Sequence, residues 1–308
     1  ICIVGSSNID QIAYVETIPH DGETVFGSKY QMGFGGKGAN QAVMAGLMGA
    51  QTFMITCLGD DVYADMTIEN FINNGVNVDF IQRVEGSSGV APIWVDKTGQ
   101  NRIIVISGAN DHIDANKAIG AIDKIENLNY IIGQFEIPLE VTEKVFIYAK
   151  NKNIQTILNP APAKIPSNEL LKATDWFIPN EIEFQTITGS SAFVDENLLN
   201  FANTLTGNLI VTLGNKGAAF IENDRVIKIE APNVSAIDTT GAGDAFVGAF
   251  SAGLANGLSP LEAIRLGVDR ASDSVTKPGT QSFTGMTHWT MWQTPARRWR
   301  RNSGCAAS

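Results

Sequence analysis

Short apolar runs alternate with amphipathic stretches along most of the chain. ICIVG (1–5), YIIGQFE (130–136) and LIVTLG (209–214) are apolar at successive positions, which is typical of strands covered on both faces of a parallel sheet. Between such runs, apolar residues recur at helical spacing. This alternation predicts an α/β fold with a doubly wound, mostly parallel sheet between layers of helices.

The same pattern positions the other elements. The remaining predicted strands are TFMITCLG (52–59), IQTILNPA (154–161) and WFIPN (176–180), and the predicted helices cover 37–50, 61–74, 138–153, 194–206, 245–254 and 259–276. Residues 11–34 and 90–108 lack helical periodicity and are predicted as short strands, the second as a hairpin around Lys97–Gln100. We expect these two segments to pair into a small sheet that closes over a ligand.

The predicted organisation is therefore a main domain with a smaller β lid. The main α/β domain is assigned residues 1–10, 35–88 and 106–282, the lid is assigned 11–34 and 89–105, and 283–308 form an atypical tail. The tail has no acidic residue, yet it contains three tryptophans and a cluster of arginines at 297–301. A basic, aromatic tail could bind nucleic acid or a membrane, but its abrupt start favours a disordered or artefactual segment.

The composition excludes several classes of function. The 308 residues carry a formal net charge of −10, which argues against a general nucleic-acid-binding protein. No apolar run is long enough for a membrane span, and no signal peptide is visible. The 3 cysteines and 3 histidines are scattered, so the sequence indicates neither a disulfide framework nor a zinc site. We expect a cytoplasmic protein that acts on a small molecule.

The stretch DTTGAGDAF (238–246) places glycines and an acid at the start of a predicted helix. A helix N-terminus offers free N–H groups and the positive end of the helix dipole, and glycine lets a ligand approach the backbone closely. Residues 241–244 therefore predict an anion site. Asp244 within it is either a functional carboxylate or an acid that caps a buried helix, and the stretch alone favours neither.

A second glycine-rich stretch, GFGGKG (33–38), has the glycine spacing of a dinucleotide-binding loop but lacks its context. SKYQM before it is a poor buried strand, and Lys37 is not followed by the Ser or Thr of a phosphate-binding P-loop. We interpret Gly35 and Gly36 as a bare surface for a polyhydroxylated ligand, with Lys37 and Asn40 as donors. The alternative is a glycine-rich hinge with a solvated lysine.

Several motifs together resemble a known family. GGKGANQAV (35–43) and DTTGAGDAF are similar to the two signatures of the ribokinase family, the PfkB carbohydrate kinases. Further segments that resemble the family, in the same order, are GSSNID (5–10), NPAPA (159–163), PNEIE (179–183), TLGNKG (212–217) and TKPGTQ (276–281). The resemblance extends from Ile1 to about Gln281.

The resemblance implies transfer of the γ-phosphate of ATP to a primary hydroxyl of a sugar, with O5 of D-ribose as the expected acceptor. The aspartate that matches Asp244 is then the base that takes the proton of the attacking hydroxyl, and the N–H groups of Gly241, Ala242, Gly243 and Asp244 form the anion hole. ATP, Mg²⁺ and K⁺ are the implied cofactors. Exposed lid strands favour a homodimer formed through the lid.

The resemblance also implies binding residues. The sugar-binding set is Asn8, Asp10, Gly36, Lys37, Asn40 and Glu136, and the nucleotide-binding set is Asn180, Thr212, Gly214, Gly241 and Gly243. Glu183 and Asn180 match an element that organises Mg²⁺, partly through water, while Asp238, Thr240, Ser274, Lys277 and Gly279 match a K⁺ site. Each set has a structural alternative: turn residues for Asn8 and Asp10, a helix cap for Asn180 with a surface Glu183, and a tight loop for the potassium set.

Two features depart from the family pattern. GVDRASDS (267–274) brings Asp269, Arg270 and Asp273 into the helix that is expected to pack against adenine, and the tail does not continue the family's C-terminal pattern. The alternatives left open are a kinase for deoxyribose, fructose or a nucleoside such as adenosine, and a relative that binds sugar or nucleotide without catalysis.

Overall fold

A computed structural model describes residues 1–281, and the predicted tail at 283–308 lies outside the described residues. The strands are β1 (Cys2–Val4), β2 (Asn8–Val15), β3 (Gly27–Gly35), β4 (Thr52–Ile55), β5 (Cys57–Leu58), β6 (Val76–Asn77), β7 (Gln82–Arg83), β8 (Gly89–Val95), β9 (Asn101–Ile103), β10 (Tyr130–Gly133), β11 (Gln155–Leu158), β12 (Trp176–Phe177), β13 (Asn208–Thr212), β14 (Ala218–Glu222) and β15 (Arg225–Ile229). The helices are α1 (Lys37–Leu47), α2 (Val62–Asn73), α3 (Ala115–Ile122), α4 (Leu139–Asn151), α5 (Asn168–Lys172), α6 (Glu181–Thr188), α7 (Asp195–Ala202), α8 (Ala242–Ala255) and α9 (Pro260–Ser274).

The largest sheet confirms the predicted doubly wound architecture. Its strand order is β15-β14-β13-β12-β11-β10-β1-β4-β6. β1 pairs in parallel with β10 on one side and with β4 on the other, whereas β14 and β15 form an antiparallel hairpin at one edge. The reversal of strand order beside β1 creates a crevice at the carboxyl ends of the strands, which is where ligands bind in sheets of this type.

Both faces of this sheet are covered by apolar side chains. Along β1 the side chains alternate between the faces: Ile3 joins the core cluster that includes residues of α1, α8 and α9, while Cys2 and Val4 join the cluster of α3, α4, α6 and α7. Two separate cores thus sandwich the sheet, which explains why its strands are apolar at successive positions.

Helices α1 and α8 approach each other unusually closely. A Cβ atom at Gly248 would lie 2.6 Å from the carbonyl oxygen of Gln41, so only glycine permits this packing. The predicted apolar face of α1 proves to be part of a helix that is buried nearly all round, from Gly38 to Ala45. The close packing fixes the start of α8, which carries the candidate base, against α1.

A second sheet, with the order β3-β2-β8-β9, lies apart from the main one. β2 pairs in parallel with β8, so the two segments without helical periodicity do form one sheet, and β8 and β9 form the expected hairpin. The sheet also takes in Asn8–Asp10 and Gly35, which the prediction had placed in the main domain. Tyr30 and Met32 lie exposed on this sheet.

Some elements differ from the sequence prediction. TFMITCLG is not one strand: β4 belongs to the main sheet, while β5 pairs with β7 in a separate two-stranded sheet. The helices α3, α5 and α6 and the hairpin β14–β15 were not predicted, because short elements carry too few apolar residues to show a period. No helix among residues 1–281 is long and apolar enough to cross a membrane.

Candidate active site

The loop before α8 turns at Gly241, which adopts a left-handed conformation with φ 77°. A residue with a Cβ atom is strained in this conformation, which accounts for the glycine. Ala242, Gly243 and Asp244 then form the first turn of the helix, as predicted. A Cβ atom at Gly243 would meet open space, so the backbone there is accessible to a ligand.

This helix start borders a polar cavity of about 130 Å³. The cavity is lined by Lys37, Asn159, Ala161, Ile178, Asn180, Glu183, Thr212, Thr239, Gly241, Ala242, Gly243, Asp244 and Val247. The predicted anion-site residues and the predicted Mg²⁺ residues therefore surround one space. Gly214, predicted to contact the nucleotide, does not line it and instead begins a 3₁₀ turn at Gly214–Lys216.

Asp244 is 5% exposed and its carboxylate is held by two amide donors. Asn40 Nδ2 donates to Oδ2 at 2.9 Å, and Gln41 Nε2 donates to Oδ1 at 3.1 Å. An ionised carboxylate has about four lone-pair sites, so these bonds leave capacity for a further donor. Both side chains of α1 thus orient the carboxylate without saturating it.

Charge and burial act on Asp244 in opposite directions. Burial raises its pKa most, and Glu136 adds to this, while the Lys37 ammonium and the two amides lower it; the net direction is upward. Asp244 in turn raises the pKa of Lys37, and Glu136 and Glu183 contribute in the same direction. Lys37 is therefore a charged partner of the carboxylate at the edge of the cavity.

Asn180 and Glu183 form a reciprocal cap on α6. Asn180 Oδ1 accepts from the Glu183 N–H at 2.7 Å, and Glu183 Oε2 accepts from the Asn180 N–H at 2.8 Å. This is the helix-capping alternative, but Glu183 is not a surface residue: it is buried and lines the cavity, and burial raises its pKa. The cap uses one of its carboxylate oxygens.

Glu136 follows the end of β10 and contacts the start of α1. Its Oε2 accepts from Ser6 Oγ at 2.7 Å and from the Lys37 N–H at 2.9 Å. Gly36 has φ 88°, and a Cβ atom there would lie 2.8 Å from the backbone of Ser7 and Asn8. Gly36 is thus required for close packing of two backbone segments, with Glu136 capping the helix that follows.

Asn8 and Asp10 lie on β2, facing this region, and are held in different ways. Asn110 Nδ2 donates to Asn8 Oδ1 at 2.8 Å, which leaves the Asn8 amino group as the outward donor. Asp10 pairs with Gly33 across the strands, and its carboxylate lies against Gly35, where a Cβ atom would be 2.4 Å from Oδ1. Burial, then Glu136 and Asp238, raise the pKa of Asp10 to about 7.

The predicted K⁺ residues meet in part. The Asp238 carboxylate accepts from the Thr240 N–H at 2.9 Å and from the Gly279 N–H at 3.0 Å, so it joins the two loops. Ser274 ends α9, and its carbonyl oxygen accepts from the Lys277 N–H at 3.1 Å. Within residues 1–281, no group of three or more His, Cys, Asp or Glu side chains could hold a metal ion.

Sequence reasoning missed several site residues. Gln41 and Asn159 contact each other behind Asp244, Asn110 holds Asn8, and Thr239 lines the cavity. Gln41, Asn159 and Thr239 lay inside quoted motifs, but nothing in the motif showed which side chains turn inward. Asn110 had no signal, because it meets Asn8 only through the fold.

The sequence profile of the pfkB family carbohydrate kinases matches residues 1–285, nearly the whole chain. The chain belongs to this family. As a PfkB-family member it is a carbohydrate kinase, and the Asp244 cavity lies where its two motifs, GGKGANQAV and DTTGAGDAF, meet in space.

Curated proteins with similar sequences include kinases for two pentoses. The chain is 37% identical to a protein named ribokinase from Staphylococcus aureus, over 92% of this chain and 95% of that one. It is 36% identical to a protein named deoxyribokinase from Salmonella typhi, over 92% of this chain and 94% of that one. Sequence similarity therefore does not separate ribose from deoxyribose.

Solved structures agree with the family. A ribokinase from Thermotoga maritima is 36% identical, superimposes with a TM-score of 0.81, and covers 91% of this chain and 94% of its own. An Arabidopsis thaliana ribokinase, complexed with ribose and ATP, is 29% identical with a TM-score of 0.85, covering 92% of this chain and 95% of its own. These relatives confirm the ribokinase-like fold.

The atypical charges in α9 of this PfkB-family chain lie in different surroundings. Asp269 is exposed, whereas the Nε atom of Arg270 is buried without a hydrogen-bond partner among the described residues. Asp273 accepts from Lys277 Nζ at 2.6 Å. Asp273 thus binds the loop that follows α9, whereas Asp269 is exposed to solvent.

Proposed function

We propose that this carbohydrate kinase transfers the γ-phosphate of ATP to O5 of D-ribose and releases ribose 5-phosphate and ADP. The observation that carries the proposal is the buried carboxylate of Asp244, held by amides at a helix N-terminus beside a polar cavity. ATP as the donor is supported by the relative that was solved with ribose and ATP.

In the proposed reaction, Asp244 acts as the general base. The sugar hydroxyl oxygen forms a bond to the γ-phosphorus, the bond from that phosphorus to the β,γ-bridging oxygen breaks, and Asp244 takes the hydroxyl proton. The N–H groups of residues 241–244 provide donors for the charge on the transferred group. Asn8, Asp10, Gly36, Lys37, Asn40 and Glu136 are proposed to bind the sugar, and Thr212 and Gly214 the nucleotide.

Two cations are proposed. Mg²⁺ usually keeps several waters and takes one or two carboxylates besides phosphate oxygens, so the buried Glu183 carboxylate, which lines the cavity beside Asn180, suits it. Bound Mg²⁺ would neutralise phosphate charge. Asp238 is proposed to hold together the loops whose carbonyls, from Thr240, Ser274, Lys277 and Gly279, would face K⁺.

The second sheet is proposed as a lid that closes over the sugar and as the surface of a homodimer. Its exposed apolar side chains, including Tyr30, Met32 and Ile103, favour burial against a second copy. Sedimentation equilibrium should show a dimer that Met32→Glu weakens. A monomer at all concentrations would contradict this assembly. A cytoplasmic location belongs to the same proposal.

Deoxyribose is the second candidate acceptor, because similar proteins carry either name. Coupled ADP release should be measured with ribose, 2-deoxyribose, fructose and adenosine. The proposal expects the highest kcat/KM with ribose, and a preference for deoxyribose or a nucleoside would overturn the substrate assignment.

Asp244→Asn tests the role of the base in the same assay. Turnover should fall by about 10²- to 10⁴-fold, while the Kd for nucleotide stays close to that of the parent protein. Full turnover of this variant would contradict the proposed mechanism. Binding of ribose by the parent protein without any ADP release would indicate a binding protein.

A further inference from the structure

Behind Asp244 lies a series of buried amides. Gln41 Nε2 donates to Asp244 Oδ1 at 3.1 Å and to Asn159 Oδ1 at 3.1 Å, and Gln134 Nε2 donates to Gln41 Oε1 at 2.7 Å. Gln41 is 1% exposed and Gln134 is 0% exposed, so water does not compete for these groups. A buried amide that lost such a partner would be left unpaired, which would destabilise the fold. Each amide in the series is therefore held in one orientation.

A backbone atom sets the orientation of the first amide in the series, Asn159, and that amide sets the orientation of Gln41. The Ile178 carbonyl can only accept, so Asn159 must present its Nδ2 group to it, at 3.0 Å. The Asn159 Oδ1 atom then faces Gln41, and Gln41 must present its amino group to both Asn159 and Asp244. Gln134 donates to the side-chain oxygen of Gln41. If the Gln41 amide were rotated, its oxygen would face the Asp244 carboxylate oxygen and its amino group would face the Gln134 amino group.

Gln41 also lies where α1 and α8 are closest. Its carbonyl oxygen would be 2.6 Å from a Cβ atom at Gly248, one turn of α8 after Asp244. The backbone of Gln41 is therefore held against the same helix that carries the carboxylate. Neither backbone packing nor amide orientation leaves Gln41 free to move relative to Asp244.

We infer that Gln41 is a positioning residue for Asp244, and that Asn159 and Gln134 together hold the orientation in which Gln41 acts. This inference rests on the proposed role of Asp244 as the base. The Gln41 bond to Oδ1 favours the ionised form and holds the carboxylate turned towards the cavity for the incoming hydroxyl. Lys37 on α1, Glu136 after β10 and Glu183 on α6 are the charged groups that also act on Asp244.

Gln41→Met in the full chain tests the inference, because methionine keeps the length of the side chain without its donor. We expect kcat to fall by about 10- to 100-fold, with the sugar KM within about twofold of the parent value. Since the Gln41 bond lowers the pKa of Asp244, its loss should move the acid limb of the kcat–pH profile to higher pH.

Gln134→Met is the second variant, and it does not touch Asp244. It should change kcat and the acid limb in the same direction but by less, because Gln41 remains, Asn159 still orients it, and only the bond to its Oε1 atom is lost. If thermal unfolding shows that Gln41→Met does not fold, Gln134→Met decides alone.

Ser251→Ala is the matched control. Ser251 is buried on α8 and donates to the Val247 carbonyl at 2.7 Å, so the variant loses a buried hydrogen bond of the same helix away from Asp244. It should lower thermal stability and leave the kcat–pH profile in place.

Comparison with Asp244→Asn separates failure of the inference about Gln41 from failure of the proposed function. If Asp244→Asn is inactive but the glutamine variants keep the parent pH profile, Gln41 is only structural and the inference is overturned. If Asp244→Asn is fully active, the proposed function fails first. A shifted acid limb in both glutamine variants, absent in Ser251→Ala, supports the inference.

Discussion

Asp244 is a buried carboxylate and Asp10 is a half-buried one, and the two differ in the hydrogen bonds that the protein supplies to them. Asp244 starts α8 in the main core and receives a hydrogen bond on each oxygen from α1. Asp10 lies on β2 of the second sheet, where no hydrogen-bond donor from residues 1–281 reaches it and Gly35 leaves space around it. Burial raises the pKa of both carboxyls.

The difference suits the two roles proposed above, a base at Asp244 and a sugar-binding carboxylate at Asp10. A base must be held in one position, so its donors come from a closely packed helix pair. A carboxylate that binds hydroxyls must keep its lone pairs open, and the ligand then supplies the missing hydrogen bonds. The fold therefore places the first group in the rigid core and the second on the smaller sheet.

Apart from Asp244→Asn, the largest effect is expected from Lys37→Met, which removes a charged group that acts on Asp244. Removal of the ammonium should lower kcat by about 10²- to 10³-fold, because it lines the cavity and favours the ionised base. The acid limb of the kcat–pH profile should also move to higher pH. Steady-state kinetics from pH 5 to 9 measure both, with the exposed Lys124→Met as control. An unchanged acid limb would show that Lys37 does not lower the pKa of Asp244.

Gly35→Ala should weaken sugar binding at Asp10. The added methyl group would need the space of the Asp10 carboxylate, so the sugar KM should rise by about 10- to 100-fold while nucleotide affinity is kept. Gly33→Ala is a matched control on the same strand, because its Cβ atom would lie 4.0 Å from the Asp10 Cβ. Equal KM values for the two variants would show that Asp10 does not bind the sugar.

Asn110→Ala sharpens the comparison through Asn8. Without its partner the Asn8 amide loses its fixed orientation, so the sugar KM should rise by about tenfold and stability should fall by about 1–3 kcal/mol. Thr174→Val loses a buried hydrogen bond to the Leu170 carbonyl at the opposite end of the main sheet. Calorimetry and kinetics should show that this control lowers stability alone; a sugar KM that also rises in Thr174→Val would make the Asn110 effect unspecific.

The smallest effect concerns stability without ligand. Because the pKa of Asp10 is raised to about 7, the folded protein holds a proton there that the unfolded chain releases near pH 4. The free energy of unfolding should thus decrease as pH rises from about 4 through about 7. Asp10→Asn removes this dependence and should be more stable than the parent protein at pH 8, with no difference at pH 4. Urea unfolding at both pH values measures it, and parallel curves would contradict the raised pKa.

Much of this fold could be read from periodicity. The strands of the main sheet are apolar at successive positions because both faces are covered, and α8 follows its glycines as predicted. The single strand expected at 52–59 was wrong, since a continuous apolar run does not show where the chain leaves one sheet for another.

The candidate site divides in the same way. DTTGAGDAF and GGKGANQAV predicted an acid, a lysine and accessible backbone. The accessible backbone could be predicted because the conformations found there require glycine, and glycine is visible in the sequence. The sequence by itself thus determined the family, the layered architecture and the acid in the first turn of α8. Only the tertiary structure decided that Gln41, Gln134 and Asn110 hold the site residues, because hydrogen bonds between residues 93 to 203 positions apart exist only once the strands and helices have packed.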